Sequence, residues 1–152
     1  MEVFRLSREK FSKDLSGKGA ALKGASWNSP GVEIIYTALN RSLAMAEVAV
    51  HFTYATLPSD YVMIAIFIPD DTSILKLSPT DLPPDWNAFP HSISTQTIGD
   101  QFIAGHRYCL LQIPSVVIQG DYNILINPNH PEFSRIRVIS AEKFPFDKRI
   151  FK

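Results

Sequence analysis

The sequence predicts an α+β (mixed α/β) domain, with a strand-rich core and flanking helices. Three observations carry this. Six runs (residues 2–6, 32–37, 61–69, 109–113, 122–127 and 136–140) have the β-branched, aromatic and apolar residues of strands. Two stretches, 41–54 and 95–104, have the composition of substantial helices. The two kinds do not alternate as a doubly wound sheet requires. At 152 residues and 45% hydrophobic content, the chain is expected to form a single domain over 1–152.

Residues 2–6 open as a short strand, after which charges lead into a Gly/Lys/Ala/Ser-rich stretch, 17–31, read as a functional loop because it ends in the turn formers WNSPG. The run VEIIYT at 32–37 follows as a strand. Asn40 is placed to cap a helix over 41–54, where three alanines and four larger apolar residues leave hardly any polar face, so this helix is expected to be buried. YVMIAIFIP at 61–69 reads as a strand covered on both faces. Prolines 79, 83, 84 and 90 predict loop. A helix over 95–104 then stops at Gly105, and three short strands separated by Pro114, Gly120, Pro128 and Pro131 complete the chain. The terminal FPFDKRIF at 144–151 is expected to pack onto the core more readily than to serve as a docking edge.

Several function classes are disfavoured at once. Fifteen basic residues balance fifteen acidic ones, which leaves no field to gather nucleic acid or an anionic membrane. Cys109 is the sole cysteine and lies in an apolar run, so it reads as a small hydrophobe and neither a disulfide nor a cysteine-rich metal site is available. The four histidines lack metal-ligand spacing, and no metal is expected. No leader or bilayer-spanning segment is evident, so a cytoplasmic protein is expected.

Glu47 stands out as a lone carboxylate inside LAMAEVAV. A charge in a buried helix costs several kcal/mol unless it is paired or hydrogen-bonded, as by pairing with His51 one turn on. Tyr36 closes a strand that feeds this helix, a usual place for a ring to meet a ligand, although core packing with a satisfied hydroxyl is the commoner reason for a strand tyrosine. The loop 24–31 has backbone amides and nearby Lys18 and Lys23 for a phosphate, yet matches neither the Walker nor the dinucleotide fingerprint. Ser115, Asn123 and Asn127 sit at strand ends, where turn or cap roles are common, and Ser115 has no base partner in sequence.

Taken in order, GASWNSPG at 24–31, YTA at 36–38, SLAMAEVAVH at 42–51, STQTIGD at 94–100, IPS at 113–115 and YNILINPNHP at 122–131 resemble the RES domain family over nearly the whole chain. That family comprises toxins of RES–Xre toxin–antitoxin pairs. The resemblance implies a fold similar to ADP-ribosyltransferases and a reaction at the nicotinamide–ribose bond of NAD, which is a substrate and not a resident cofactor. It implies that Glu47 stabilises charge on the ribose, that Tyr36 stacks on nicotinamide, and that Ser115 and Asn127 hydrogen-bond the nicotinamide or its ribose. Trp27, Asn28 and Ser29 belong to the implied substrate-binding loop. The implied partner is an Xre-like helix-turn-helix antitoxin over the active-site mouth, in a complex that allows a homodimer; contact with DNA falls to the antitoxin. Position 26 departs from the pattern. The family has arginine there as a clamp on the NAD phosphates, and this chain has Ser26, so weakened activity is expected unless Arg41 or Lys23 supplies the charge. Transfer of ADP-ribose to a protein, with 79–90 as acceptor loop, and a non-catalytic role in a repressor complex are the competing readings.

Overall fold

The computed structural model describes residues 1–151. Its strands are β1 (Glu2–Arg8), β2 (Ile35–Ala38), β3 (Tyr61–Phe67), β4 (Ile74–Lys76), β5 (Leu110–Pro114), β6 (Tyr122–Ile126) and β7 (Arg137–Lys143). Its helices are α1 (Lys18–Lys23), α2 (Arg41–Ala49) and α3 (Ile93–Gly105). The strands form one seven-stranded sheet in the order β4-β5-β6-β2-β1-β3-β7. Every pairing is antiparallel except β4 with β5. The mixed α/β class and all six expected strands are present, with shifted ends.

Strand alternation divides the core. Phe4, Leu6, Ala38, Met63 and Ala65 face Leu43 and Ala44 of α2, while Leu111, Ile113 and Leu125 pack with Trp27 and with Phe102 and Ile103 of α3. Since Tyr36 opposes Leu125 and Ala38 opposes Asn123, both helices cover the same side of the sheet. The other side buries Val3, Ile35, Ile64, Ile66, Ile124 and Ile126. The register between β1 and β3 runs over seven residue pairs, whereas β1 meets β2 at the single pair Phe4–Ala38. Beyond that pair the strands part, and the gap is bordered by α2 and by the loop at 25–27.

Three expectations are corrected. The loop 17–31 contains α1, because Ala20 and Ala21 favour a turn of helix between Gly17 and Gly24, whose φ of +74° suits only glycine well. The helix expected over 41–54 ends at Ala49, where β-branched Val50 and Thr53 disfavour continuation, and Val50 is 61% exposed. Within α2 only Leu43 and Ala44 are buried, so it is not enclosed all round; small alanines are apolar on an exposed face as readily as on a buried one. The strand β4 was not foreseen. Asn40 caps α2 as expected, its side chain accepting the Leu43 amide at 2.8 Å. The chain end packs inward, Phe146 meeting Tyr61, Phe144 and Phe151 edge-on at centroid distances of 5.7, 5.3 and 5.8 Å.

Candidate active site

A cavity of about 320 Å³ occupies the gap between β1 and β2. Its walls include Phe4, Arg5 and Leu6 from β1, Tyr36, Thr37 and Ala38 from β2, Glu47, Val48 and His51 at and beyond the end of α2, Ser26 and Trp27 from the loop, and Asn123.

Glu47 is the cavity's carboxylate. Burial raises its pKa, and the Ser115 hydroxyl, the nearby Asn123 amide and the charge of His51 oppose that rise in decreasing measure. Its Oε1 accepts the Ser115 hydroxyl at 2.7 Å, so its main partner is Ser115 and not the His51 one turn on that the helical spacing suggested. Ser115 is 3% exposed, and its oxygen also accepts the amides of Val117 and Ile118, both at 3.0 Å. One donor and two acceptor sites are thereby filled, which leaves the hydroxyl nothing for a ligand. Ser115 stands behind Glu47 and orients it, a different place from the direct ligand contact that the resemblance implied.

The loop is fastened to α3. Thr95, fully buried, donates to the Ser26 carbonyl at 2.5 Å, Gln96 donates to the carbonyls of Ala25 and Asn28 at 3.0 and 3.2 Å, and Asp100 accepts the Ser29 amide and hydroxyl at 2.9 and 2.5 Å. Gly99 lets the loop come so close that a Cβ there would collide with the Trp27 carbonyl oxygen. Asn28, also fully buried, donates to the Ala20 and Val32 carbonyls at 2.9 and 3.0 Å and accepts the Tyr36 hydroxyl at 2.6 Å. The same hydroxyl accepts the Trp27 amide at 3.0 Å. Burial raises the pKa of Tyr36, keeping the phenol neutral. Its hydroxyl is thus a tie within the protein, and only its ring is left to face a ligand.

These bonds revise the loop's expected part. The amides of Ala25, Trp27, Asn28 and Ser29 are all taken by the protein, so this is not a cradle of free amides for phosphate. Lys18 and Lys23 are exposed and outside the cavity wall. The structure brings Glu47, Tyr36, Ser26 and Trp27 to one cavity, with Ser115, Asn28 and Ser29 directly behind. It does not bring Asn127 there. That side chain is fully buried, donating to the Ile103 carbonyl at 3.3 Å and accepting the Asn129 amide at 2.9 Å, so it braces a turn. Residues 79–90 likewise lie outside the wall.

Arg5 and His51 are wall residues that the sequence reading did not single out as functional groups. Arg5 gave little signal, because its strand also carries Glu2, Ser7 and Arg8. Cys109 is fully buried with its thiol pushed up to about 12, too high for a nucleophile. Among the described residues no helix is long and apolar enough to cross a membrane, and no group of three or more His, Cys, Asp or Glu side chains is placed to hold a metal ion.

The profile of the RES domain matches residues 2–147. A protein named Prs ADP-ribosylating toxin, from Sphingobium sp. strain YBL2, is 36% identical over 91% of this chain and 88% of its own length. A protein named Toxin Res, from Photorhabdus laumondii, is 33% identical over 100% of this chain and 98% of its own. Among solved structures, the M. tuberculosis MbcT–MbcA toxin–antitoxin complex contains a chain that matches with a TM-score of 0.75, covering 94% of this chain and 83% of that one. At 19% identity this is a likeness of fold.

Proposed function

The chain belongs to the RES domain family, and from that premise we propose that it is the toxin of a toxin–antitoxin pair and cleaves the nicotinamide–ribose bond of NAD. The observation that carries the reading is Glu47, a carboxylate lining an otherwise largely apolar cavity and oriented by a hydroxyl with no other donor task.

The chemistry follows from that placement. As the bond to nicotinamide breaks, its electron pair leaves with the ring, which departs neutral, and C1′ of the ribose takes on oxocarbenium character. A carboxylate beside it gains attraction as that positive charge develops, so it stabilises the transition state more than the ground state. Tyr36, whose ring is left free by its tied hydroxyl, supplies a flat aromatic wall for the departing ring. Attack by water forms the new C1′–O bond and releases a proton, giving free ADP-ribose; phosphate would act in the same way. The relative named for ADP-ribosylation supports a second acceptor, a protein side chain. The antitoxin is proposed to be an Xre-like helix-turn-helix protein that covers the cavity mouth; the likeness to a chain of a toxin–antitoxin complex supports an antitoxin as partner, whatever its type. The setting is the cytoplasm of the producing cell, where NAD is present.

Adenine-labelled NAD incubated with the chain and with Glu47→Ala tests the reading. Release of free ADP-ribose indicates water as acceptor, and label retained on protein indicates transfer. Undiminished NAD loss in the alanine variant would defeat the assignment of Glu47.

A further inference from the structure

Resting on the reading of the cavity as the place where nicotinamide leaves ribose, we propose that it recognises only the nicotinamide ribonucleotide half of NAD. The chain therefore also cleaves nicotinamide mononucleotide and NADP, and its substrate class is the ribonucleotides of nicotinamide at large.

Room in the cavity is limited. Pockets that enclose a drug-sized ligand run from about 300 to 1,000 Å³, and this one, at about 320 Å³, stands at the lower end. One base, its sugar and a phosphate fill such a space, and a dinucleotide carries two of each. The space does not run on into a neighbour. A smaller cavity of about 100 Å³, bordered by Arg41, Met63 and Phe144, shares no lining residue with it.

The wall is equipped for one nucleotide. Glu47 is its only carboxylate among the described residues, and the scissile ribose takes it. Doubly wound dinucleotide sites use an acidic side chain on the adenosine ribose and free backbone amides on the diphosphate. This chain offers neither, since the Ala25, Trp27, Asn28 and Ser29 amides bond within the protein. Flat surfaces are as scarce. Trp27 and Phe4 border the cavity but are only 3% and 6% exposed, committed to the two helix-facing cores. The exposed rings of Tyr54 and Phe89 lie outside the wall. With the Tyr36 ring given to nicotinamide, no Phe, Tyr or Trp ring of the wall is left for adenine.

A remote part of a substrate lowers the barrier only where the protein grips it. The adenylate half lies beyond the mouth, so its removal costs little, and a 2′-phosphate on its ribose meets no wall. The mononucleotide reacts with the same balance as NAD. The C1′–N bond breaks, its electron pair leaves with nicotinamide as the neutral ring, water forms the new C1′–O bond and releases a proton, and ribose 5-phosphate is the product.

The test measures nicotinamide release from NAD, nicotinamide mononucleotide and NADP by the full chain, as kcat/KM, and repeats the NAD assay with adenosine as competitor. Calorimetric titration of Glu47→Gln with the same three compounds reads binding without turnover. The expected result is that the mononucleotide and NADP lie within about tenfold of NAD in both measurements, and that adenosine does not inhibit. A site built to hydrogen-bond a substrate group rejects an analogue lacking it by roughly 10⁴-fold or more, so a built adenosine site would stand out. If NAD is cleaved or bound and either other compound falls more than tenfold behind, the proposal is overturned while the reading of the cavity stands. Competition by adenosine overturns it likewise. If none of the three is cleaved or bound, the reading of the cavity falls and the proposal with it.

Discussion

Replacing Ser115 by alanine separates an orienting role from a structural one. The substitution removes the 2.7 Å hydrogen bond to Glu47 and the acceptor for the Val117 and Ile118 amides. A hydrogen bond to a charged group is worth about 1.5–3 kcal/mol. If it holds the carboxylate in place as the ribose becomes cationic, its loss slows turnover roughly ten- to a hundredfold. The lost turn contacts resemble a missing helix cap, about 1 kcal/mol, which lowers the melting temperature of a domain this size by roughly 2–4 °C. The pH profile distinguishes the two effects. Burial raises the Glu47 pKa and Ser115 is the strongest influence opposing it, so without Ser115 the carboxyl remains protonated to higher pH. The acid limb of activity must therefore move toward alkaline pH, with the deficit largest on the acid side and shrinking as pH rises. Initial rates of NAD loss across pH, alongside thermal melts, measure both. A variant that melts lower but keeps the parent's rate and acid limb would refute the argument and leave Ser115 a turn cap.

Glu47→Gln should lower turnover by roughly two to three orders of magnitude without lowering stability. Because its folded pKa is raised, between the unfolded and folded values the folded chain keeps a proton that the unfolded chain has released, so the parent loses stability as pH rises through that window. The glutamine variant escapes this loss, and melts should show it at least as stable as the parent near pH 8, with the difference fading toward pH 4. A marked destabilisation at pH 8 would contradict the burial argument. Gly99→Ala should destabilise by about 1–3 kcal/mol and reduce turnover, because its Cβ would have to displace the Trp27 backbone; chemical denaturation measures the first effect and rates the second. Ser26→Arg should raise NAD turnover roughly ten- to a hundredfold by adding a second cation at the wall, and equal turnover by both chains would show that position 26 is immaterial.

What could be read from the sequence divides along physical lines. Glu47 was conspicuous because a charge inside an apolar run is costly, and Asn40 because capping is a local event. The partner of Glu47 was out of reach, since Ser115 lies 68 positions away and only the sheet brings them together. Tyr36 and Asn28 were each noticed, but not that they bond to one another and thereby leave only the ring for a ligand. Asn127 was given a ligand by the family resemblance alone, whereas its place at a strand end had suggested a turn role; which backbone groups it bonds, at Ile103 and Asn129, depends on packing. The three-residue β4 shows no usable periodicity and exists through its parallel pairing with β5. Arg5 escaped notice because arginine in a short strand is unremarkable until both flanking strands are known.

The single residue pair between β1 and β2 also bears on how the cavity can deform. The sheet is effectively two half-sheets spliced at one stitch, and α2, packed against Phe4, Leu6 and Ala38, is the splint across the join. Glu47 rides on that splint. Any binding event that spreads or squeezes the halves therefore moves the carboxylate relative to both walls at once. The proposed antitoxin, seated across the mouth, would then need only to set the angle of the join to displace Glu47, without entering the cavity.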